Sequence, residues 1–473
     1  MISHEDIKNL VSEWHLREDI IEKDYVIGWV LYGIGADPDL SHKWIFKGGT
    51  CLKKCFIETY RFSEDLDFTI LDDGPINVDE LGPIFERILE RIGEESGIDF
   101  SVAQPKFKQR ASFQSLEGRI YYRGPRNART PASIKLDLSA LERVVRPSVL
   151  RKISHPYQDS LPNPAHIRSY SFEEVFAEKI RAMGERGRPR DLYDIINLFR
   201  RRDLRTHPKR IKTVLIEKCK TKGVPVPTYN SIKNSPYLDE LKGEWHNMLG
   251  HQLQILPPFE QFWQEIPLLF DWLEGTYVPA TLNTVAIEKE EDVSWTPPST
   301  IWNWGIGIPL ESIRFAGANH LCIELEYRKQ GHDLHHYLIE PYSLRRTQED
   351  NLVLKAVKAG TQEPKSFRID WIQGIKVSTK SFEPQYQIEF TSIGPINASP
   401  LSRTRQSPSG GSHSTRLTKQ SHTGYKKSYK DYPYTIKCSV CGKKFKRKHY
   451  DTRIHPHKDK NGFNCPGRIG FIV

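Results

Sequence analysis

Apolar and polar positions change period several times along the chain, and each change predicts an element. Residues 3–34 carry a helical pattern, read as two helices. Ser3 caps the first, with Glu5 and Asp6 in its opening turn; the second holds IIEKDYVIGWVLYGI and ends near Gly35. Residues 44–70 (WIFKGGTCLKKCFIETYRFSEDLDFTI) read as strand, Gly-Gly-Thr turn, short polar helix and strand. In that closing strand Leu66 and Phe68 point to the core. Asp65 and Asp67 share the other face, roughly 6.5–7 Å apart. Residues 79–95 are an amphipathic helix with Leu81, Ile84, Ile88 and Ile92 near helical spacing. Strand-like runs follow at 99–103, 119–123 and 133–138. In the last, Ile134, Leu136 and Leu138 alternate with Lys135 and Asp137.

The helical period returns at 171–200. Ser171 and Glu174 are spaced for a capping box, Phe172, Phe176 and Met183 line one side, and Lys179 lies at the edge of that stripe. Gly184–Pro189 is expected to break the chain before a second helix near Arg190-Asp191, where Asp191 and Asp194 share a face. Residues 205–278 are helical in pattern, including an aromatic amphipathic helix over 257–275, and 279–299 form a polar, Pro-rich linker. From 300 to 393 the pattern becomes short strands: Ile323–Tyr327, His336–Glu340, Leu352–Ala356, Ser366–Ile369 and Ile375–Val377. Residues 394–431 are rich in Ser, Gly, Lys and Arg and read as a disordered basic linker, leaving 432–473 as a small terminal module.

Composition sharpens the picture. The 473 residues allow two to four domains with real cores. The longest apolar run, Val26 to Gly35, is about ten residues and too short to span a bilayer. The N-terminus lacks the basic-then-apolar pattern of a secretory signal, and seven Cys fit a reducing cytoplasm with one metal site. The net charge of +10 is uneven: residues 399–473 hold 17 Lys+Arg against 3 Asp, and the rest of the chain is slightly acidic. A basic tail on a near-neutral body points to a polyanionic partner.

Candidate chemistry sits in two places. Asp65 and Asp67 side by side repel unless a cation lies between them, and an oxygen-only pair favours Mg²⁺ shared with substrate phosphates. Gly48-Gly49 brings backbone N–H groups near a phosphate and Thr50 adds a hydroxyl. Asp137 puts a further carboxylate on the open face of a neighbouring strand. Lys23, read from its neighbours alone, belongs to a solvated Glu/Lys/Asp face. In the tail, Cys438-x2-Cys441 and Cys465 with His457 supply four ligands for structural Zn²⁺, with His455 and His449 competing for the fourth position. Phe445 among Lys443, Lys444, Lys446, Arg447 and Lys448 suits phosphate contact and base stacking.

The run Gly-Gly-Thr, about a dozen residues, then Arg61-x-Ser63-x-Asp65-Leu66-Asp67-Phe68 resembles the nucleotidyltransferase superfamily that includes DNA polymerase beta, and more narrowly the AbiEii/MenT-type toxin branch. The resemblance implies that Asp65 and Asp67 hold Mg²⁺, that Asp137 is the third acid, acting as base or metal ligand, that Gly48, Gly49, Thr50, Arg61 and Ser63 contact nucleotide, and that Lys23 reaches a phosphate. Glu22-Lys23-Asp24-Tyr25 is similar to a motif ahead of the glycine turn in that branch. The Lys179…Arg190-Asp191-Leu192-Tyr193-Asp194 arrangement is similar to its later motifs, which implies that Lys179 neutralises the triphosphate and that Asp191 belongs to the active site. The strand-rich segment, HYLIEPYSLRRTQEDNLVLKAV then KSFRIDWIQGIKVSTKSFEP, resembles a WYL domain, with Leu352-Val353-Leu354 at the namesake positions. Arg345, Arg346 and Arg368 are its candidate anion contacts.

The expectation is therefore an α+β chain. A polymerase-beta-like nucleotidyltransferase domain with a helical C-terminal half occupies 1–278, followed by a WYL-like domain at 300–393 and a zinc ribbon or knuckle at 432–473. The expected activity is Mg²⁺-dependent transfer of NMP from an NTP to a hydroxyl of RNA (a tRNA 3′ end) or protein, by a cytoplasmic toxin or phage-defence enzyme with a cognate antitoxin. The alternative is a non-catalytic nucleic-acid-binding regulator built on the last two modules.

Overall fold

The computed structural model describes residues 1–390 except 58–59, 111–113, 202–203, 205–206, 287–290, 293–309 and 350, and then 434–438, 443–447, 457–458, 464–465 and 470–472. Residues Met1–Ser402 form one compact unit and Arg403–Val473 another.

The first unit opens with α1 (His4–Trp14) and α2 (Glu18–Ala36), then β1 (Trp44–Lys47), α3 (Gly48–Cys55), β2 (Asp65–Ile70) and α4 (Val78–Ser96). Next come β3 (Lys106–Gln109), β4 (Ser115–Tyr122), β5 (Ala132–Ser139), β6 (Val149–Lys152) and β7 (His166–Ser169). Among the described residues these seven strands form one mixed sheet, ordered β3-β4-β5-β2-β1-β7-β6. β2 runs parallel to β5, and β1 parallel to β7. One face of the sheet is apolar: Leu66, Phe68, Leu116, Ile120, Ile134 and Leu136 are fully buried. α2 and α4 pack on each other, α2 also meeting β7 and α4 meeting β3. The alternation that fixes this face fixes the other, since a strand has a side-chain period of two.

The helical half comprises α5 (Phe172–Arg186), α6 (Pro189–Arg200), α7 (Pro208–Lys222), α8 (Tyr229–Lys233), α9 (Leu238–Gly243), α10 (Trp245–Leu249), α11 (Phe259–Trp263) and α12 (Ile266–Glu274). The unit continues with α13 (Leu310–Ala318), β8 (Leu321–Tyr327), β9 (His335–Arg346), β10 (Leu352–Lys358), β11 (Pro364–Arg368) and β12 (Ile372–Ser381). These five strands make an antiparallel sheet ordered β11-β10-β9-β8-β12. It is tied to the helical half by Tyr193, which donates to Asn319 at 2.8 Å, and by Gln254, which donates to Ser312 at 2.7 Å. In the second unit, β13 (Tyr434–Cys438), β14 (Lys444–Arg447) and β17 (Gly470–Ile472) form one sheet, and β15 (His457–Lys458) pairs with β16 (Asn464–Cys465).

Several expectations need correction. Segment 99–103 is no strand: only Asp99 bridges, to Arg123, before the chain turns. The helix expected over 257–275 is two, α11 and α12, with Pro267 in the first turn of the second. α5 runs through Gly184 and stops at Gly187, which takes the left-handed conformation (φ 52°). Ser171 caps α5, but Glu174 turns away to accept from the backbone of Val145 and Arg146. α13 lacks a polar face, since seven of its nine residues are buried, and so gave no helical stripe to read. The described part of 279–299 packs against the strands: Val285 is buried with Tyr342 and Phe382, and Glu291 bridges Thr347. The basic linker at 394–431 lies outside the described residues.

Candidate active site

Three neighbouring strands present one polar row. Asp67 lies opposite Asp137 on β5 and opposite Lys47 on β1, and Asp65 lies opposite Lys135. Asp65, Asp67 and Asp137 therefore stand on the same face of the sheet, with the core on the other. The glycine turn meets them directly. Gly48 opens α3 at φ +80°, and a Cβ there would fall 2.1 Å from Asp67 Oδ2. A Cβ on Gly49 would fall 2.6 Å from Arg61 Nη2 and 3.0 Å from Ser63 Oγ. The first backbone N–H groups of α3 lack helical partners by position. The two glycines themselves are packed against the Asp67 carboxylate, the Arg61 guanidinium and the Ser63 hydroxyl.

Burial raises the Asp67 carboxyl to about 6; Lys47 and Lys179 oppose the rise, Asp137 and Asp65 add to it. Asp65 is raised too, by burial first, with Lys135 and Arg190 opposing and Asp137 and Glu64 adding. Carboxylates that resist ionisation because they repel one another out of water form a site that a cation would relieve. Two such oxygen donors, open to phosphate oxygens, fit Mg²⁺, which commonly binds through one or two carboxylates plus substrate. Asp137 is held by Arg110 and by Lys135 at 2.9 Å. Among the described residues no cluster of three or more His, Cys, Asp or Glu is gathered closely enough to hold a metal by itself.

Behind the row lies a buried ion network. Arg61, 2% exposed, donates to both oxygens of Asp194 at 2.7 and 2.8 Å, and to Gln252 at 3.0 Å. Lys179 Nζ is 2.7 Å from Asp194 and 3.9 Å from Asp191. Asp191 is gripped at both oxygens by Arg186. Burial works against the Asp194 charge, but Arg61 and Lys179 hold its carboxyl well below the usual range. Lys179 is thus near enough to Asp67 to oppose its rise, yet leans on Asp194. Arg61 is a buried tether from the strand approach to α6, and the Thr50 hydroxyl donates to the Asp65 carbonyl. Lys23 pairs with Glu64 at 2.5 Å.

Two cations were missed from sequence. Lys47 directly precedes the glycines and alternates onto the Asp67 face; the strand period and its contiguity to Gly48 were the available signal. Burial disfavours its charge, but Glu178, Glu142 and Asp67 outweigh that and raise its pKa. Arg190, next to Asp191, is half-buried near Asp65 and Asp194; burial, then the Arg61 charge, lowers its pKa.

The other candidates have partners of their own. Arg345 pairs with Glu389, Arg346 with Asp292 at 2.7 Å, and Arg368 with Asp370 and Asn351. In the second unit Cys438 is buried on β13, and His457 pairs in register with Cys465. Phe445 packs edge-on to His457. Cys441, His449 and His455 lie outside the described residues.

A mixed sheet carrying aligned carboxylates against a glycine-led helix is the architecture of an enzyme acting on phosphates, and the comparisons agree: the chain is a nucleotidyltransferase. Residues 29–265, half of the chain, match the model of a family described as nucleotidyl transferase AbiEii toxin, type IV toxin–antitoxin system. The chain belongs to that family. Among solved structures, MenT4, a nucleotidyltransferase toxin from Mycobacterium tuberculosis H37Rv, is 19% identical, with a TM-score of 0.35 over 54% of this chain and 84% of that one. No curated protein matches. Among the described residues, no helix is long and apolar enough to cross a membrane.

Proposed function

We propose that this chain transfers a nucleoside monophosphate from an NTP to the 3′ hydroxyl of an RNA, tRNA being the foremost candidate. The observation that carries the reading is the placement of Asp65, Asp67 and Asp137 on one face, with Gly48 packed against Asp67. In this scheme the N–H groups of Gly48 and Gly49 and the Ser63 hydroxyl receive the triphosphate, and Lys47, Lys179 and Arg190 offset its charge. Asp65 and Asp67 would hold Mg²⁺, which supplies charge neutralisation at the phosphates when bound. Asp137 takes the proton from the acceptor hydroxyl. The hydroxyl oxygen forms a bond to the α-phosphorus in line, the bond from that phosphorus to the bridging oxygen breaks, and pyrophosphate leaves with the electron pair. Asp191, locked by Arg186, acts by fixing α6 rather than by touching substrate.

The test is transfer from α-labelled NTPs to total tRNA. Label should appear at RNA 3′ ends with wild type, and disappear with Asp65→Asn, Asp67→Asn or EDTA while the thermal unfolding profile is kept. Wild-type turnover in EDTA would sink the scheme; label on protein alone would move the acceptor to a protein hydroxyl. A companion proposal is structural Zn²⁺ on Cys438, Cys441, Cys465 and His457. Its support is the Cys spacing and the register of His457 with Cys465, and its test is metal content of the purified chain. A cognate antitoxin and a WYL-like ligand role for the five-stranded sheet belong to the same reading.

A further inference from the structure

The face that carries the carboxylates continues outward over β5, β4 and β3, and there its charge changes sign. Reading across the strands from Asp65, the in-register residues are Lys135, Arg119 and Lys106. In the next row, Lys108 lies opposite Glu117, which lies opposite Asp137. Arg110 reaches from the end of β3 to Asp137 and lies 3.6 Å from Glu117. Tyr121 shares this face on the far side, half-buried, with Lys106 Nζ 5.7 Å from its ring. Lys106, Lys108, Arg110 and Arg119 are exposed, whereas the opposite face at these strands is buried against the core. β3 is the outermost strand among the described residues, so the row opens to solvent at its far end.

A line of cations one strand apart spans about 14 Å from Lys106 to Asp65, enough for roughly two or three phosphates of an extended strand. The acids beside it are matched by cations: Asp137 pairs with Lys135 at 2.9 Å and with Arg110, and Glu117 is flanked by Arg110 and Arg119, 3.8 Å away in the latter case. Tyr121 offers a ring for one base to stack on, at the side where a strand laid along the cations would carry its bases. A duplex would present two backbones to a surface only one row wide. A single strand entering over β3 delivers its terminal hydroxyl at Asp65 and Asp67.

We propose that the open face of β3–β4–β5 is the acceptor track. It binds the single-stranded 3′ end of an RNA along Lys106, Arg119 and Lys135, with Tyr121 stacking a base toward the outer end of the row. This rests on the nucleotidyl-transfer reading for the destination of the strand, but its binding step stands alone.

The experiment uses the full chain and an oligoribonucleotide with a 3′ single-stranded overhang, carrying 4-thiouridine two residues from its end. Crosslinks should fall within residues 106–122. The variant Lys106→Ala/Lys108→Ala/Arg119→Ala should raise the acceptor KM at least tenfold, leave the NTP KM unchanged, and flatten the salt dependence of RNA binding by about 2 in logarithmic slope. Tyr121→Ala should weaken binding severalfold without altering that slope. A blunt duplex should bind at least tenfold less tightly than the overhang. Crosslinks confined to residues outside β3–β5, an unchanged acceptor KM in the triple variant, or label acceptance by protein only would each overturn the track. Absence of transfer by wild type, with crosslinks still on β3–β5, would overturn the catalytic reading and leave the track standing.

Discussion

Gly48 is the residue on which the site closes most tightly. Its φ of +80° and the 2.1 Å that would separate a Cβ from Asp67 Oδ2 forbid a side chain there. Gly48→Ala is expected to cost about 1–3 kcal/mol of stability and to remove most transfer activity, measurable by urea unfolding beside an NMP-transfer assay. Arg61 is the second such residue. It and Asp194 are 2% and 0% exposed, so removing one leaves the other charged and buried. Arg61→Ala should lose about 3–5 kcal/mol by the same measurement. The placement of Gly48 and of the three carboxylates was legible because their constraints are local: a left-handed φ that favours glycine, and alternation along a strand. The roles of Thr50, Arg61 and Asp191 were less so, because a short motif does not reveal whether a polar group faces substrate or the interior. Asp194, rather than Asp191, meets Arg61 and lies closer to Lys179, and the Arg61–Asp194 pair joins residues more than 130 positions apart.

At the scale of elements, the strand patterns held wherever one face was buried and the other polar, as in β2 and β5. Helix patterns failed where burial covered most of the element, as in α13, or where a proline divided an otherwise continuous apolar stripe, as between α11 and α12. The contact of α1 with α13 carries a titratable group. Burial, followed by the nearby Glu311 charge, raises the Glu13 carboxyl from 4.5 to about 7 against the pull of Arg314. Between those pH values the folded chain holds more protons than the unfolded chain, so this group's contribution to stability falls as pH rises from about 4.5 to 7. Glu13→Gln should flatten that slope and raise the melting temperature at pH 8, a gain of order 1 kcal/mol once solvent screening is allowed for. Melting curves of both proteins at pH 5 and pH 8 check it; an equal shift at both values would refute the assignment.

Across the whole molecule, charge and topology divide the labour. The body is slightly acidic and the last 75 residues carry most of the positive balance. RNA binding by the full chain should therefore weaken steeply between 50 and 200 mM salt, while the KM for an NTP, held by a few short contacts, should change far less. The shift from helical to strand patterning near residue 300 could be read from the sequence. What could not be read is that the helical half and the five-stranded sheet belong to one compact unit, because the contacts that join them are long-range. The strand order has a consequence for biosynthesis. All three carboxylates have been made by residue 137, yet β1 still awaits β7 at its flank, and Lys179 and Asp194 come later still. On the proposed mechanism, a nascent chain should stay catalytically silent until α6 has cleared the exit tunnel, and fragments ending before α6 should show no NMP transfer.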